Sequence, residues 1–113
     1  METITVSGEL PFGYRDKEGV IHRAFTMRAL TMGDMERMEA EHPDLLASGN
    51  SLTLRRLSFA YALESLGTLP AGDITPAMLA NLPAQDFAAL AKAEDDIAKK
   101  LRAAYGRGGE DAS

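Results

Sequence analysis

The two histidines are the first residues to consider for acid–base or metal chemistry, because imidazole ionises near neutral pH. His22 lies in a stretch of alternating hydrophobicity and His42 directly precedes a proline, and neither has another histidine at a metal-binding spacing. The 113-residue chain contains no cysteine, which excludes zinc–thiolate sites, disulfides and thiol nucleophiles. Both histidines are therefore interpreted as structural or surface residues, and no metal or cofactor is expected.

Carboxylate pairs can act as general acid and base only when a cleft holds them together and raises one pKa. The pairs in this sequence fall on predicted helix surfaces: Asp34 with Glu36, Glu39 with Glu41, and Asp95 with Asp96. Ser58 lies inside a predicted helix without a G-x-S-x-G motif around it. The glycines of residues 106–109 precede no helix and cannot form a phosphate loop. The sequence therefore predicts no catalytic residues, and a non-enzymatic function is expected.

Four arginines form the densest group of basic side chains: Arg23, Arg28, Arg55 and Arg56. The whole chain nevertheless has a net charge of −5 and an isoelectric point of about 4.9, whereas nucleic-acid-binding domains usually carry a basic surface. Ion pairs with acidic neighbours explain these arginines more simply. We expect no nucleic-acid partner, and a small nucleic-acid-binding regulator is kept as an alternative.

Methionine is the residue type whose spacing points to a binding surface. Met32, Met35 and Met38 recur every third residue, and flexible thioether side chains suit surfaces that hold varied apolar partners. The same spacing is also typical of a helix that packs on its own core, so both interpretations stay open. A second apolar stripe, interrupted by Glu94, runs along one face of the last predicted helix. The candidate partner-binding residues are Met32, Met35, Met38, Phe87, Leu90, Glu94, Ile97 and Leu101.

Two alternating stretches at the N-terminus predict a β-hairpin. Apolar residues alternate with polar ones over residues 3–10 and again over residues 20–29, with a polar turn between them whose tip is near Asp16–Gly19. The residues expected to share the inner face are Ile4, Val6, Leu10, Ile21, Phe25, Met27 and Ala29. A lone hairpin is marginally stable in water, so this one must pack on the helices that follow.

Those helices are predicted from their start and stop signals. Thr31 and Asp34 have the spacing of a capping box that opens a helix over residues 32–41. A second helix, apolar on nearly all sides in its latter half, is predicted over residues 52–66, with Ser51 as its cap and Gly67 as its C-terminal stop.

The remaining helices follow a repeated formula, Leu-Pro-Ala-x-Asp, at residues 69–73 and 82–86. Both copies are interpreted as helix-start signals rather than as a structural repeat. Thr75 and Pro76 predict a short helix, and a last helix is expected from Pro83 to about Ala104. The predicted fold is α+β: a single domain over residues 1–105, with a hairpin (1–30) packed on a small bundle of about four helices (31–105), followed by a disordered tail at 106–113.

Targeting signals are not expected. The first residues carry neither a basic nor an apolar segment of the kind found in secretory signals. The longest apolar patch, residues 57–63, is too short to span a bilayer. A cytoplasmic protein without membrane contact is therefore expected.

Two blocks of the sequence resemble a known family. "LPFGYRDKEGVIHRAFTMRALT" (10–31) resembles the L-P-x-G-Y-x-D-x-x-G-x-x-H-R-x-x-x-M-R opening of small tail-assembly proteins of contractile-tailed phages and related injection systems. "LSFAYALESLGTLPAGDITPAMLANLPAQDFAAL" (57–90) resembles the second half of the same group and the Mu-like tail assembly chaperones. Together the blocks cover about half of the chain, in order.

The resemblance implies a non-enzymatic chaperone or adaptor that binds the apolar, helical tape-measure protein, or another tail protein, in the host bacterial cytoplasm. Homo-oligomerisation is left open. The first alternative is a minor tail or baseplate subunit that stays in the particle. The second is the nucleic-acid-binding regulator noted above.

Overall fold

Over the described residues, the fold consists of a four-stranded antiparallel sheet and five α-helices. The computed structural model describes the backbone of residues 4–112 and the side chains of residues 4–105. The sheet has the order β1-β2-β3-β4, with strands β1 (Thr5–Arg15), β2 (Ile21–Arg28), β3 (Leu63–Leu66) and β4 (Leu69–Pro70). The helices are α1 (Met32–Glu41), α2 (Pro43–Leu46), α3 (Ser51–Ala62), α4 (Pro76–Leu79) and α5 (Asp86–Ala112). The predicted α+β class and the N-terminal hairpin are confirmed.

Strand β1 is longer than predicted because it contains a large bulge. Its pairing with β2 runs as far as Glu9 opposite Ala24 and resumes at Tyr14 opposite His22. Residues 10–13 of β1 therefore lie opposite a single residue of β2. The segment predicted as a turn from Pro11 onward is strand, and the true turn is closed by a 2.9 Å hydrogen bond from the Asp16 N–H to the Val20 carbonyl.

The inner face of β2 differs from the prediction at one end. Phe25 and Met27 are buried as expected, but Ile21 is 42% exposed. Ile21 lies beside the hairpin turn, at the opposite end of β2 from the buried Phe25 and Met27. His22 is buried instead, because its ring packs against the turn between β3 and β4, where it accepts a hydrogen bond from the Thr68 N–H.

The predicted helix over residues 52–66 ends four residues early, and its last four residues form β3. Leu66 pairs with Phe25 and Leu63 with Met27, which buries both leucines almost completely. An apolar run suits a buried helix or a buried strand equally, and the free edge of β2 selects the strand. The prediction that Gly67 stops a helix is wrong. Gly67 has a φ of +61° in the two-residue turn between β3 and β4.

Some of the predicted helix starts are confirmed, and others differ in the structure. Thr75 caps α4 as expected, accepting a hydrogen bond from the Met78 N–H at 3.1 Å. The cap of α3 is Asn50 rather than Ser51, because the Asn50 side chain accepts from the Thr53 N–H. The first Leu-Pro-Ala formula does not begin an α-helix, since Leu69–Pro70 is β4 and a 3-10 turn follows it.

Helix α5 begins at Asp86, three residues after the predicted start at Pro83. Pro83 lies in the preceding turn, where its carbonyl accepts from the Asp86 N–H at 2.9 Å. The backbone of α5 continues to Ala112, past the predicted end near Ala104 and into the predicted tail, because each residue added to an existing helix gains a backbone hydrogen bond. Ser113 lies outside the described residues.

The core lies between the sheet, α3 and α5. Helix α5 packs along β1, so it covers the sheet rather than standing beside α1 and α2 in a bundle. The buried apolar residues that form this core are Leu10, Phe25, Met27, Phe59, Ala60, Ala62, Leu63, Leu66, Ile74, Leu79, Leu90, Ala93 and Ile97. In the part of the chain that the structure describes, no helix has the length and hydropathy needed to cross a membrane.

Candidate helix-binding groove

The N-terminus of α1 is held in place by the carboxylate of Asp34. Asp34 and Thr31 form the predicted capping box, in which each side chain accepts a hydrogen bond from the backbone N–H of the other. The Arg28 guanidinium donates to both Asp34 oxygens, at 2.7 and 2.9 Å, and also to the Tyr61 carbonyl of α3 at 3.1 Å. This guanidinium holds the pKa of Asp34 well below its usual range. Arg28 therefore fixes α1 relative to β2 and α3.

The three methionines of α1 occupy different environments. Met32 and Met35 are 80% and 61% exposed, whereas Met38 is buried. A helix turns about 100° per residue, so each step of three residues rotates the side chain by about 60° relative to the previous one. Met38 is thus about 120° around the helix from Met32. This rotation carries Met38 from the surface into the contact with α3, so the core-packing interpretation is confirmed for Met38 alone, and Met32 and Met35 remain exposed.

A groove of about 650 Å³ lies between α1 and α3, and Leu46 of α2 also lines it. We call it the methionine groove. Its lining is mainly apolar: Leu30, Met32, Met35, Met38, Leu46, Leu54 and Leu57. Its polar lining residues are Thr31, Glu36, Glu39 and Ser58. Met38 and the fully buried Leu57 form its floor, while Met32 and Met35 stand exposed at its rim.

The apolar stripe of α5 does not join this groove. Leu90 and Ile97 are buried in the core, and Leu101 packs partly against it. Glu94, which interrupts the stripe, receives a 2.6 Å hydrogen bond from Arg55 of α3. Of the predicted partner-binding residues, the three methionines line this groove together, whereas Leu90, Ile97 and Leu101 of α5 pack on the core.

Phe87 instead belongs to a second groove, of about 490 Å³, between α3, α4 and the start of α5. The Phe87 ring makes an edge contact with the Phe59 ring, with 5.6 Å between the ring centroids. Leu52, which is 63% exposed, stands at the rim of this groove. Sequence reasoning did not select Leu52, because its place at the start of an amphipathic helix is equally typical of a residue in solvent.

A polar cleft of about 280 Å³ lies on the other side of α1. The hydroxyl of Tyr61 donates to the Glu41 carboxylate, and the Arg37 guanidinium lies 5.1 Å from the centre of the Tyr61 ring. Burial and the hydrogen bond to Glu41 raise the pKa of Tyr61 to about 12. The side chains of Tyr61, Glu41 and Arg37 therefore interact with one another and hold the C-terminal turn of α1 against α3.

The four arginines of the basic group all donate hydrogen bonds within the protein. Arg23 donates to the Phe12 carbonyl and Arg56 to the Pro76 carbonyl, while Arg28 and Arg55 bind carboxylates. Among the described residues, no group of three or more potential ligands could hold a metal ion. His22 is buried and hydrogen-bonded through both ring nitrogens, to Asp16 and to Thr68.

No protein-family model, no curated protein and no solved structure matches this chain. The function is therefore inferred from the chain's own residues. In chemical terms, the methionine groove offers an apolar floor, two exposed thioether side chains and two carboxylates at its rim. Such a surface can bind the apolar face of a helix, as amphipathic helices are bound in other hydrophobic grooves.

Proposed function

We propose that the protein is a non-enzymatic chaperone or adaptor of phage-tail assembly that binds an apolar helical client, such as the tape-measure protein. The observation that carries the proposal is the methionine groove. A side chain 80% exposed, as Met32 is, leaves an apolar thioether in water, and Met35 does the same beside it. Contiguous exposed apolar surface of this kind is typical of a site that another protein covers.

The shape of the groove suits one helix. Its two walls are helices, α1 and α3, and Met32 and Met35 can change rotamer to fit different apolar side chains. A long tape-measure client presents many similar apolar turns, so an adaptable surface suits it better than a rigid pocket. Release during assembly requires modest affinity, and a groove lined by about three turns of helix limits the buried area accordingly.

Co-expression with a tape-measure protein encoded beside this chain tests the proposal. We expect the client to be more soluble and to co-purify with the chain, and we expect Met32→Lys with Met35→Lys to abolish both effects. Because both side chains are exposed, the double variant should keep the fold, which circular dichroism can check. A matched control is Leu52→Lys, which changes an exposed apolar residue in the other groove.

The proposal fails if the client stays insoluble with the wild-type chain, or if the Met32 and Met35 variants support it as well as the wild type does. Mass spectrometry of assembled particles separates a chaperone from a retained tail or baseplate subunit. A chaperone is expected to be absent from mature particles, whereas a subunit would be present at a fixed copy number.

A further inference from the structure

One side of α1 changes from apolar to acidic along the methionine groove. Met32, Met35, Glu36 and Glu39 follow the i, i+3, i+4, i+7 spacing that places residues on one helix face. The two methionines occupy the N-terminal turn of this face and the two glutamates the next turn. A bound helix would therefore meet apolar side chains first and carboxylates about 6 Å further along the axis.

No side chain in the described part of the chain forms an ion pair with either of these two carboxylates. Both glutamates are exposed. No lysine, arginine or histidine lines the groove. The nearest cation along α1, Arg37, faces the polar cleft instead, where it contacts Asp34 and the Tyr61 ring.

The backbone of α1 adds to this negative potential. The C-terminal end of a helix carries a partial negative charge, which basic residues in the last turn usually offset. The last turn of α1 has no basic residue and contains Glu41. Glu39 thus lies near the C-terminal end of α1, where the partial charge of the helix dipole is negative like that of its own carboxylate.

We infer that the methionine groove selects an amphipathic helix whose apolar residues are followed, one turn away, by lysine or arginine. The inference rests on the proposed function, since it specifies the chemistry of the client. Basic side chains on that turn reach Glu36 and Glu39 while the apolar face covers Met32 and Met35. A helix with acidic residues at the same positions places like charges together, which reduces its affinity.

Two synthetic helical peptides test the inference by titration calorimetry against the full-length chain. Both carry the same apolar face and are about 20 residues long, and they differ only in having lysines or glutamates on the turn next to that face. Two exposed ion pairs correspond to roughly a 3- to 10-fold preference for the lysine peptide, and this preference should shrink in 0.5 M salt.

The double variant Glu36→Lys with Glu39→Lys should bind the glutamate peptide more tightly than the lysine peptide. The control Asp95→Lys alters an exposed carboxylate on α5, outside the groove, and should keep the original preference. Equal binding of the two peptides by the wild-type chain overturns the charge inference and leaves the proposed function standing. Binding of neither peptide overturns both. A preference that Asp95→Lys reverses as strongly as the groove variant also overturns the inference, because it would reflect net charge alone.

Discussion

The carboxylate of Asp86 accepts a 2.8 Å hydrogen bond from the backbone N–H of Gly13, a residue 73 positions away in the sequence. Its second oxygen accepts from the adjacent Phe12 N–H at 2.9 Å. Both N–H groups lie in the bulge of β1, where they have no partner on β2. Asp86 is completely buried, so the first residue of α5 binds two N–H groups of the sheet away from water. This contact fixes the start of α5 against β1.

The first prediction concerns this carboxylate. Asp86→Asn should lower the free energy of unfolding by about 2–3 kcal/mol, because the amide can accept only one of the two hydrogen bonds and its NH₂ faces the other N–H. Urea denaturation followed by circular dichroism measures the change. Asp95→Asn, at an exposed position of the same helix, should change stability by less than about 0.5 kcal/mol. Equal effects of the two substitutions would contradict the role assigned to Asp86.

The second prediction concerns the bulge itself. Gly13 has a φ of +92°, and a Cβ there would lie 2.6 Å from the His22 carbonyl oxygen. Gly13→Ala should therefore destabilise the protein by more than about 3 kcal/mol, since backbone strain and a steric clash add together. Gly19→Ala is the matched control, because Gly19 has a similar φ of +85° with no atom near the added carbon. Gly19→Ala should lower the free energy of unfolding by only about 1 kcal/mol. Thermal unfolding compares the two, and the assigned clash is refuted if the costs are the same.

The third prediction is a pH dependence. The pKa of folded Asp34 is lowered chiefly by the hydrogen bond from Arg28, so folding favours the ionised carboxylate. This stabilisation is present above the unfolded pKa of about 4 and is lost as the pH falls below it. Asp34→Asn should lower the free energy of unfolding by about 2 kcal/mol at pH 7. The variant should also lose less stability than the wild type between about pH 5 and pH 2. Urea midpoints measured across this range provide the test. If the variant loses stability toward low pH as steeply as the wild type does, Asp34 is not the source of the pH dependence.

The fourth prediction separates the methionines of α1. Met38→Ser should destabilise the protein by about 2–5 kcal/mol, because it replaces a buried side chain with a smaller polar one. Met32→Ser and Met35→Ser should each change stability by less than about 0.5 kcal/mol. The same two variants should bind the lysine peptide several-fold more weakly. If Met32→Ser and Met35→Ser bind it as tightly as the wild type, the methionine groove is not the binding surface.

The fifth prediction concerns Tyr61. Burial and the hydrogen bond to Glu41 raise its pKa to about 12, so its phenol should ionise well above the ordinary tyrosine pKa of about 10. Ultraviolet absorbance at alkaline pH, with circular dichroism recorded in parallel to verify the fold, should show a late step that is missing in Tyr61→Phe. Glu41→Gln should move that step to lower pH, since an ionised acceptor no longer opposes the phenolate. A late step that persists in Tyr61→Phe would assign it to another residue.

Local chemistry alone determined several parts of the fold. The capping box of Thr31 and Asp34 and the Thr75 cap of α4 were predicted correctly, because a cap joins groups only three residues apart. The hairpin was also predictable, since the alternation of β1 and β2 reflects a half-buried surface. In the groove, the sequence identified the methionines but not their partners Leu54 and Leu57. Those residues belong to a different helix, and no local spacing relates them to α1.

Only the tertiary structure decided the remaining features, and each depends on a partner distant in sequence. The run Leu63–Leu66 fits a helix or a strand, and the free edge of β2 made it a strand. Asp86 ends the second Leu-Pro-Ala-x-Asp formula, which the sequence marked only as a helix-start signal, but the N–H groups of the β1 bulge made it a link between helix and sheet. The rotation of α1 against α3 buried Met38 and left Met32 exposed. The sequence by itself determined which segments could form, and long-range hydrogen bonding and packing decided which faces are core and which remain exposed.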